Sequence, residues 1–294
     1  MHNYKPTILV TGSNGQLGKE LRLLSTSFTE FDFLFTGRHE LPVDNFNAVR
    51  NYFAQETIHY CINCAAYTTV DKAESAKDQA YCINADGAGN LALICKENST
   101  RFIHLSTDFV FGGNTAIPYK EGDQTNPLNV YGMSKLRGEE LVSKNNPGTI
   151  IIRTSWLYSS FGNNFVKTML RLMREKESIN VVEDQHGCPT YAADLAKAIL
   201  QIISNSPLKE HEKSGIYHYA NTGIMSWFEF AKEIKELTGS KCIVNAIAAS
   251  QYPAEAKRPF FSALDTNKIQ KEFGIIIPGW KSSLLRCLQT LTAI

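Results

Sequence analysis

Tyr131 and Lys135 stand four apart in Tyr131-Gly132-Met133-Ser134-Lys135, soon after Pro127 and ahead of the helix-friendly run Leu136-Arg137-Gly138-Glu139-Glu140-Leu141. Residues four apart share a helix face, so the spacing aims a phenol and an ammonium into one cleft. The ammonium charge favours phenolate and is expected to draw the tyrosine pKa down towards working pH. Such a tyrosine hands a proton to a carbonyl oxygen, or takes one from an alcohol. By itself the pair also suits an ordinary surface helix. Its chemistry depends on two upstream stretches: the turn Gly12-Ser13-Asn14-Gly15-Gln16-Leu17-Gly18, and a strand that ends in Ser106-Thr107-Asp108.

Those three pieces need a frame. Thr7 to Thr11 is β-branched and apolar and reads as a buried strand, followed by the glycine turn and a helix from Lys19 to Ser25. Strand, glycine-rich turn and helix form the context of a dinucleotide fingerprint. Gly12 permits the tight turn, Gly15 lets the backbone approach a pyrophosphate, and Gly18 lets the helix lie close on the sheet. The helix N-terminus then offers free N–H groups to phosphate. A second strand, Phe31 to Thr36, ends at Gly37-Arg38. An acidic residue there would bind a ribose 2′-hydroxyl; the guanidinium of Arg38 suits a 2′-phosphate, which favours NADPH over NADH. Asp44 is read both as an N-cap for the helix Asn45 to Gln55 and as a partner for the adenine amine.

Further strands are expected at Tyr60 to Cys64, Arg101 to Ser106 and Thr149 to Arg153, with a long helix from about Asp78 to Asn98. Asn84, polar inside that helix, is placed to hold an active-site water or a backbone group. The alternation of strands and helices implies an α/β fold with a doubly wound parallel Rossmann sheet. Ligands bind such sheets at the carboxyl ends of the strands, which puts Thr107 in the cleft. After Trp156 the character changes. Helices follow at about Phe165 to Glu177, Ala192 to Ser204, Ser226 (as N-cap) to Leu237 and Ser282 to Leu291, with strands at Ile179 to Val182 and Ile216 to Asn221. The expected organisation is a nucleotide domain over 1–155, with 190–222 returning to it, and a smaller discontinuous substrate domain over 156–189 and 223–294.

The bulk composition excludes several alternatives. The chain is 43% hydrophobic and 20% charged with net charge +1, so no basic field argues for nucleic acid or an anionic membrane. No apolar run approaches a membrane span, and the N-terminus enters a strand without a secretory leader. The seven cysteines are odd in number and irregular in spacing. Cys61 and Cys64 form a C-x-x-C with no second half to complete a zinc site, so they read as small buried thiols, fitting a reducing cytoplasm.

The pattern resembles the extended short-chain dehydrogenase/reductases, and within them the dTDP-4-dehydrorhamnose reductase family. The similarity runs in order along nearly the whole chain: Gly12–Gly18, Asn63 to Glu74, Ser106 to Phe111, Asn129 to Leu136, Arg153-Thr154-Ser155-Trp156, Asn163 to Leu170, Asp184 to Thr190, and Arg258-Pro259. It implies hydride delivery from NADPH, or NADH, to C4 of dTDP-4-dehydro-L-rhamnose. Tyr131 would protonate the C4 oxygen, Thr107 would hydrogen-bond it, and Lys135 would tune Tyr131 and hold the nicotinamide ribose. Ser106, the near alternative to Thr107, should point the other way on an extended strand. The resemblance assigns Gly15, Gln16, Leu17, Asp44, Asn45, Ala66, Tyr67 and Thr68 to the cofactor; Gly12, Asn14, Gly18, Arg38 and Ala65 complete the expected cofactor set, with Tyr131 and Lys135. It assigns Thr107, Asp108, Trp156 and Arg258 to the sugar nucleotide, and Asn164 and Gln185, in the similar segments, are further substrate candidates.

One departure stands out. Some members dimerise through a magnesium ion held by glutamates. Glu20 matches one of these, but Ala192-Ala193-Asp194 and Leu288-Gln289-Thr290-Leu291 do not supply the rest. The expectation is therefore no structural metal and a monomer or weak homodimer. Two other readings stay open: an NADP-binding regulatory subunit of the same fold, and a nucleotide-sugar epimerase or dehydratase.

Overall fold

The computed structural model describes residues 5–205 and 213–292. Its centre is a parallel sheet of six strands. Thr7–Thr11 (β1), Asp32–Thr36 (β2), Tyr60–Asn63 (β3), Arg101–Thr107 (β4) and Ile150–Thr154 (β5) are joined by Gly215–Tyr219, in the spatial order β2-β1-β3-β4-β5-Gly215–Tyr219. The strand Gly215–Tyr219 is thus added at the edge beside β5. Side chains alternate across the pleat. Ile8 and Val10 enter one core with Leu17, Leu21 and the helix Ala192–Asn205, while Leu9 enters the other with Val49, Phe53, Leu91 and Val142. Both faces are covered, as a parallel sheet requires.

The chain leaves β1 for β2 on one side and reaches β3 on the other. The carboxyl ends of β1 and β3 therefore flank a topological switch point, where open α/β sheets bind ligands. Gln16–Leu24 (α1) follows β1, and Phe46–Gln55 (α2) follows β2. The long helix expected from Asp78 to Asn98 is present and continuous, but a π-turn widens it in the middle. Val70–Ser75 (α3) and Lys77–Tyr81 (α4) lead into a π-helical turn over Cys82–Gly87, then Ala88–Glu97 (α5). π-turns widen a helix locally. Here the widened turn carries Asn84, whose amide accepts from Tyr67 N at 2.8 Å and donates to Tyr67 O at 3.1 Å and to Ser134 Oγ at 2.9 Å. Asn84 thus holds a backbone group.

Val130–Asn145 (α6) carries Tyr131 and Lys135, and Asn129 caps it by accepting from Gly132 N at 2.8 Å. Gly138 lets α6 lie on the π-turn, since a Cβ there would stand 2.1 Å from Asn84 O. A third apolar cluster gathers Tyr158, Val166, Met169, Phe230, Ile234, Leu284 and Leu288 from beyond Trp156. In it the helix Trp227–Thr238 opens on a reciprocal capping box between Ser226 and Glu229, as Ser226 foretold, and ends at Gly239 with φ +64°. Among the described residues no helix is long and apolar enough to cross a membrane.

Candidate active site

A cleft of about 1140 Å³ opens at the switch point and runs from the glycine turn to Arg258. Its floor is the turn after β1. Gly12 has φ +63°, and a Cβ on it would stand 2.5 Å from Ala65 N. A Cβ on Gly18 would stand 2.5 Å from Ser13 Cα. These two positions admit only glycine because backbone passes over them. Helix α1 starts three residues earlier than expected, with Gly15 as its N-cap and no side chain covering the first turn. The N–H groups at that end are left for a ligand, which fits the pyrophosphate of a dinucleotide.

Asn14, Gln16, Leu17, Arg38, Asp44, Ala65, Ala66, Tyr67 and Thr68 line the same cleft. Arg38 is exposed and makes no ion pair among the described residues, while Glu40 is turned back to accept from Gly37 N at 2.8 Å. Asp44 is not the helix cap. Asn45 takes that role, accepting from Ala48 N at 3.0 Å, and Asn45 therefore does not line the cleft. The swap leaves the Asp44 carboxylate uncommitted at the cleft wall.

Thr107 ends β4, with Tyr131 and Lys135 beside it on α6. Thr107 is buried and donates to Asp108 Oδ1 at 3.1 Å. Its hydroxyl lies near the Tyr131 phenol and favours the ionised form of that phenol. The edge of Phe109 packs on the Tyr131 ring at 5.6 Å between centroids. Lys135 is buried and donates from Nζ to Leu105 O at 2.6 Å. The expected lowering of the tyrosine pKa by Lys135 is not found. Burial pushes the Tyr131 phenol up to about 12, against the Thr107 hydroxyl and with help from the Asp108 charge. Burial likewise brings Lys135 down to about 8, opposed chiefly by the Glu139 carboxylate. Desolvation dominates, and the charge that bears on the phenol is that of Asp108 and not that of Lys135. A phenol that keeps its proton through the neutral range is a donor, which suits reduction of a ketone. Burial also raises Asp108 to about 7, opposed by the nearby hydroxyls of Ser262 and Thr107. Ser106 is engaged elsewhere, donating to Glu139 Oε1 at 2.5 Å, as alternation on a strand requires.

The far wall is aromatic. Trp156 has φ +46° and stacks on Trp227 with ring centroids 3.4 Å apart and planes 6° apart. Nothing in the sequence pairs these residues, 71 positions apart. The segment Gln185–Thr190 supports this wall from behind. A Cβ on Gly187 would stand 2.6 Å from Trp156 Cε2, Thr190 N donates to Trp156 O at 3.2 Å, and Ser155 Oγ donates to Cys188 O at 2.6 Å. Gln185 itself does not line the cleft, and neither does Asn164. Asn164 caps the helix Phe165–Glu175 through Lys167 N and donates to Gln16 Oε1 at 2.9 Å, so it steadies a lining residue; its neighbour Asn163 lines the cleft. Arg258 lines the mouth, paired with Asp71 Oδ2 at 2.7 Å, and this pairing holds the Asp71 carboxyl below its usual range.

Glu20 is buried and accepts from Ser159 Oγ at 2.6 Å. Among the described residues no group of three or more His, Cys, Asp or Glu side chains could hold a metal ion.

The sequence profile of the family described as RmlD substrate binding domain matches residues 6–293. A dTDP-4-dehydrorhamnose reductase of Aggregatibacter actinomycetemcomitans is 41% identical over 283 residues, 94% of this chain and 96% of that protein. Two solved structures superpose closely. A dTDP-4-dehydrorhamnose reductase from Clostridium acetobutylicum gives a TM-score of 0.91 at 39% identity, over 97% of this chain and 99% of that one. One from Bacillus anthracis, in complex with NADP, gives 0.92 at 39% identity, over 98% of this chain and all of that one (100%). The glycine cradle, the Thr107/Tyr131/Lys135 group and the stacked tryptophans therefore sit in a chain that belongs, over nearly its whole length, to the dTDP-4-dehydrorhamnose reductase family.

Proposed function

We propose that this protein reduces dTDP-4-dehydro-L-rhamnose to dTDP-L-rhamnose, the closing step of dTDP-L-rhamnose synthesis. The observation that carries the reading is the meeting of Thr107, Tyr131 and Lys135 at the carboxyl end of β4, in one cleft with the bare N-terminus of α1. NADPH, or NADH in its place, supplies the hydride when bound. Gly12, Gly15 and Gly18 admit its pyrophosphate to the N–H groups of α1, and Asp44, Ala65, Ala66, Tyr67 and Thr68 flank it. As negative charge grows on the C4 oxygen, Tyr131 donates its proton there. Thr107 donates a hydrogen bond to the same oxygen and so orients the ketone. Lys135 holds the nicotinamide ribose hydroxyls. Asp108 takes a sugar hydroxyl, Trp156 forms a flat wall for the deoxysugar, and Arg258 offers a forked cation to the substrate pyrophosphate. The residues 156–189 and 223–294 make up the substrate half of the molecule, and 1–155 with 190–222 the cofactor half.

All seven cysteines are free, which supports a reducing, cytoplasmic setting. The missing magnesium-site glutamates support a monomer or weak homodimer. The test of the reading is loss of NADPH absorbance with dTDP-4-dehydro-L-rhamnose. A protein that binds NADPH yet leaves it unoxidised with this and other keto-sugar nucleotides is no reductase, and a regulatory binding role would replace the reading.

Two substitutions probe the halves of the cleft. Arg38→Ala should weaken NADPH by about tenfold or more while leaving NADH nearly unchanged, since a charge-assisted hydrogen bond is worth about 1.5–3 kcal/mol. Equal losses for both cofactors would remove Arg38 from the 2′-phosphate. Trp227→Ala should raise the KM for the sugar nucleotide by about tenfold, the loss of one buried aromatic contact, at unchanged KM for NADPH. Trp227→Phe should recover most of it. If both KM values rise together, the tryptophan pair supports the fold and not the substrate.

A further inference from the structure

A buried carboxylate behind the site ties its parts together. Tyr131, Lys135 and Glu139 follow one another at intervals of four along α6 and share a face. Glu139 is 3% exposed and Arg153 2%. The guanidinium grips the carboxylate with two prongs, Nε to Oε1 at 2.9 Å and Nη2 to Oε2 at 2.6 Å. Ser106 Oγ reaches the same Oε1. Ser106 and Arg153 are register partners in the β4–β5 pair, and the next pair along is Thr107 with Thr154. One carboxylate therefore meets the helix that bears Tyr131 and Lys135, the strand that ends at Thr107 and the neighbouring strand that ends at its partner Thr154.

We propose that Glu139 is a positioning residue for the reaction: through Ser106 and Arg153 it sets Thr107 against Tyr131, and its charge keeps Lys135 cationic in a buried place. This rests on the reductase reading above. A plain structural ion pair would need only Glu139 and Arg153. The third hydrogen bond comes from the residue next to Thr107, and the carboxylate lies one turn from the ammonium. The groups that face Lys135 agree. Cys64 after β3 is a neutral thiol raised far by burial, and His104 on β4 is held neutral by burial and by Lys135 itself. Arg153 on β5 is a like charge. Tyr131 on α6 keeps its proton. Glu139 is left as the anion that offsets the desolvation of Lys135, which stands at about 8.

The test is the double variant Glu139→Gln/Arg153→Met, which removes the carboxylate without leaving an unpaired charge in the core. The Glu139 carboxylate opposes the burial of Lys135 whereas Arg153, turned onto that carboxylate, does not bear on Lys135 appreciably, so with both gone the Lys135 pKa falls below about 8. The expected result is a kcat lower by about tenfold, with the alkaline limb of kcat moved to lower pH. Glu139→Asp, which keeps the charge but shortens the reach, should leave the limb in place while kcat falls. A double variant with the wild-type kcat and an unmoved limb overturns the proposal. Should it fail to fold, Ser106→Ala carries the test, because it leaves the ion pair whole: kcat should fall severalfold at a near wild-type unfolding midpoint, and an unchanged kcat overturns the proposal. A wild type that does not oxidise NADPH sinks the reductase reading and this inference together; an active wild type matched by the variants sinks this inference alone.

Discussion

Tyr131→Phe should lower kcat by about 10²–10⁴-fold, the range that a positioned general acid contributes. Phenylalanine keeps the ring and its edge contact with Phe109, so the fold and the unfolding midpoint should hold. Only the proton is lost. The wild-type pH profile follows from the same burial. Tyr131 at about 12 stays protonated across the working range, whereas Lys135 at about 8 does not stay charged. A lysine with a lowered pKa is cationic below that value and neutral above it. The rate should therefore fall as pH rises through about 8, while the donor proton remains on Tyr131. If Tyr131→Phe turns over within a few-fold of wild type, the proton comes from elsewhere, and Asp108 would be the next group to replace.

Arg153→Met alone should cost about 3–5 kcal/mol of stability, because it strands the Glu139 carboxylate in the core. That is a large part of the 5–15 kcal/mol, roughly, that holds a domain folded. After the change the carboxylate keeps, among the described residues, only the Ser106 hydroxyl as a hydrogen-bond partner. Arg153 Nη1 also reaches Glu121 O at 3.4 Å, and its guanidinium lies over the Phe111 ring at 5.1 Å, so further contacts go with it. Urea unfolding measures this directly as a lower midpoint at unchanged slope. The double variant with Glu139→Gln should recover much of the loss, since no charge is then left unpaired. A single variant as stable as wild type would mean that water reaches Glu139, contrary to its burial.

The residues of the glycine turn were legible because their chemistry is local. A strand, three glycines and a helix start specify a phosphate cradle within a dozen positions, and the structure seats Gly12 and Gly18 where backbone leaves no room for a side chain. Asp44 and Asn45 show where local reading fails. Both are good caps, and the choice between them turns on which backbone N–H each can reach. Asn45 reached Ala48 N, which left Asp44 to the cleft. Asn164 and Gln185 fail in a related way. They belong to segments that build the site, yet in those segments Asn163, Trp156 and Gly187 meet the cleft or its wall, while these two polar side chains bond behind it or lie outside it.

The sequence by itself determined the frame: a doubly wound parallel sheet, a dinucleotide turn, and a phenol and an amine on one helix face beyond a strand that ends in threonine. Those features follow from periodicity and spacing, which any sequence displays. The tertiary structure alone decided the electrostatics. Burial depth and the partners of each charge come from residues distant in the chain, and they reversed the expected shift of Tyr131. It alone decided the aromatic wall as well, because a contact between Trp156 and Trp227 depends on how the helix Trp227–Thr238 docks. It also placed Glu139 between Ser106 and Arg153, a meeting set by the register of β4 on β5. Local propensity is written along the chain; desolvation and register arise only when separate elements close on one another.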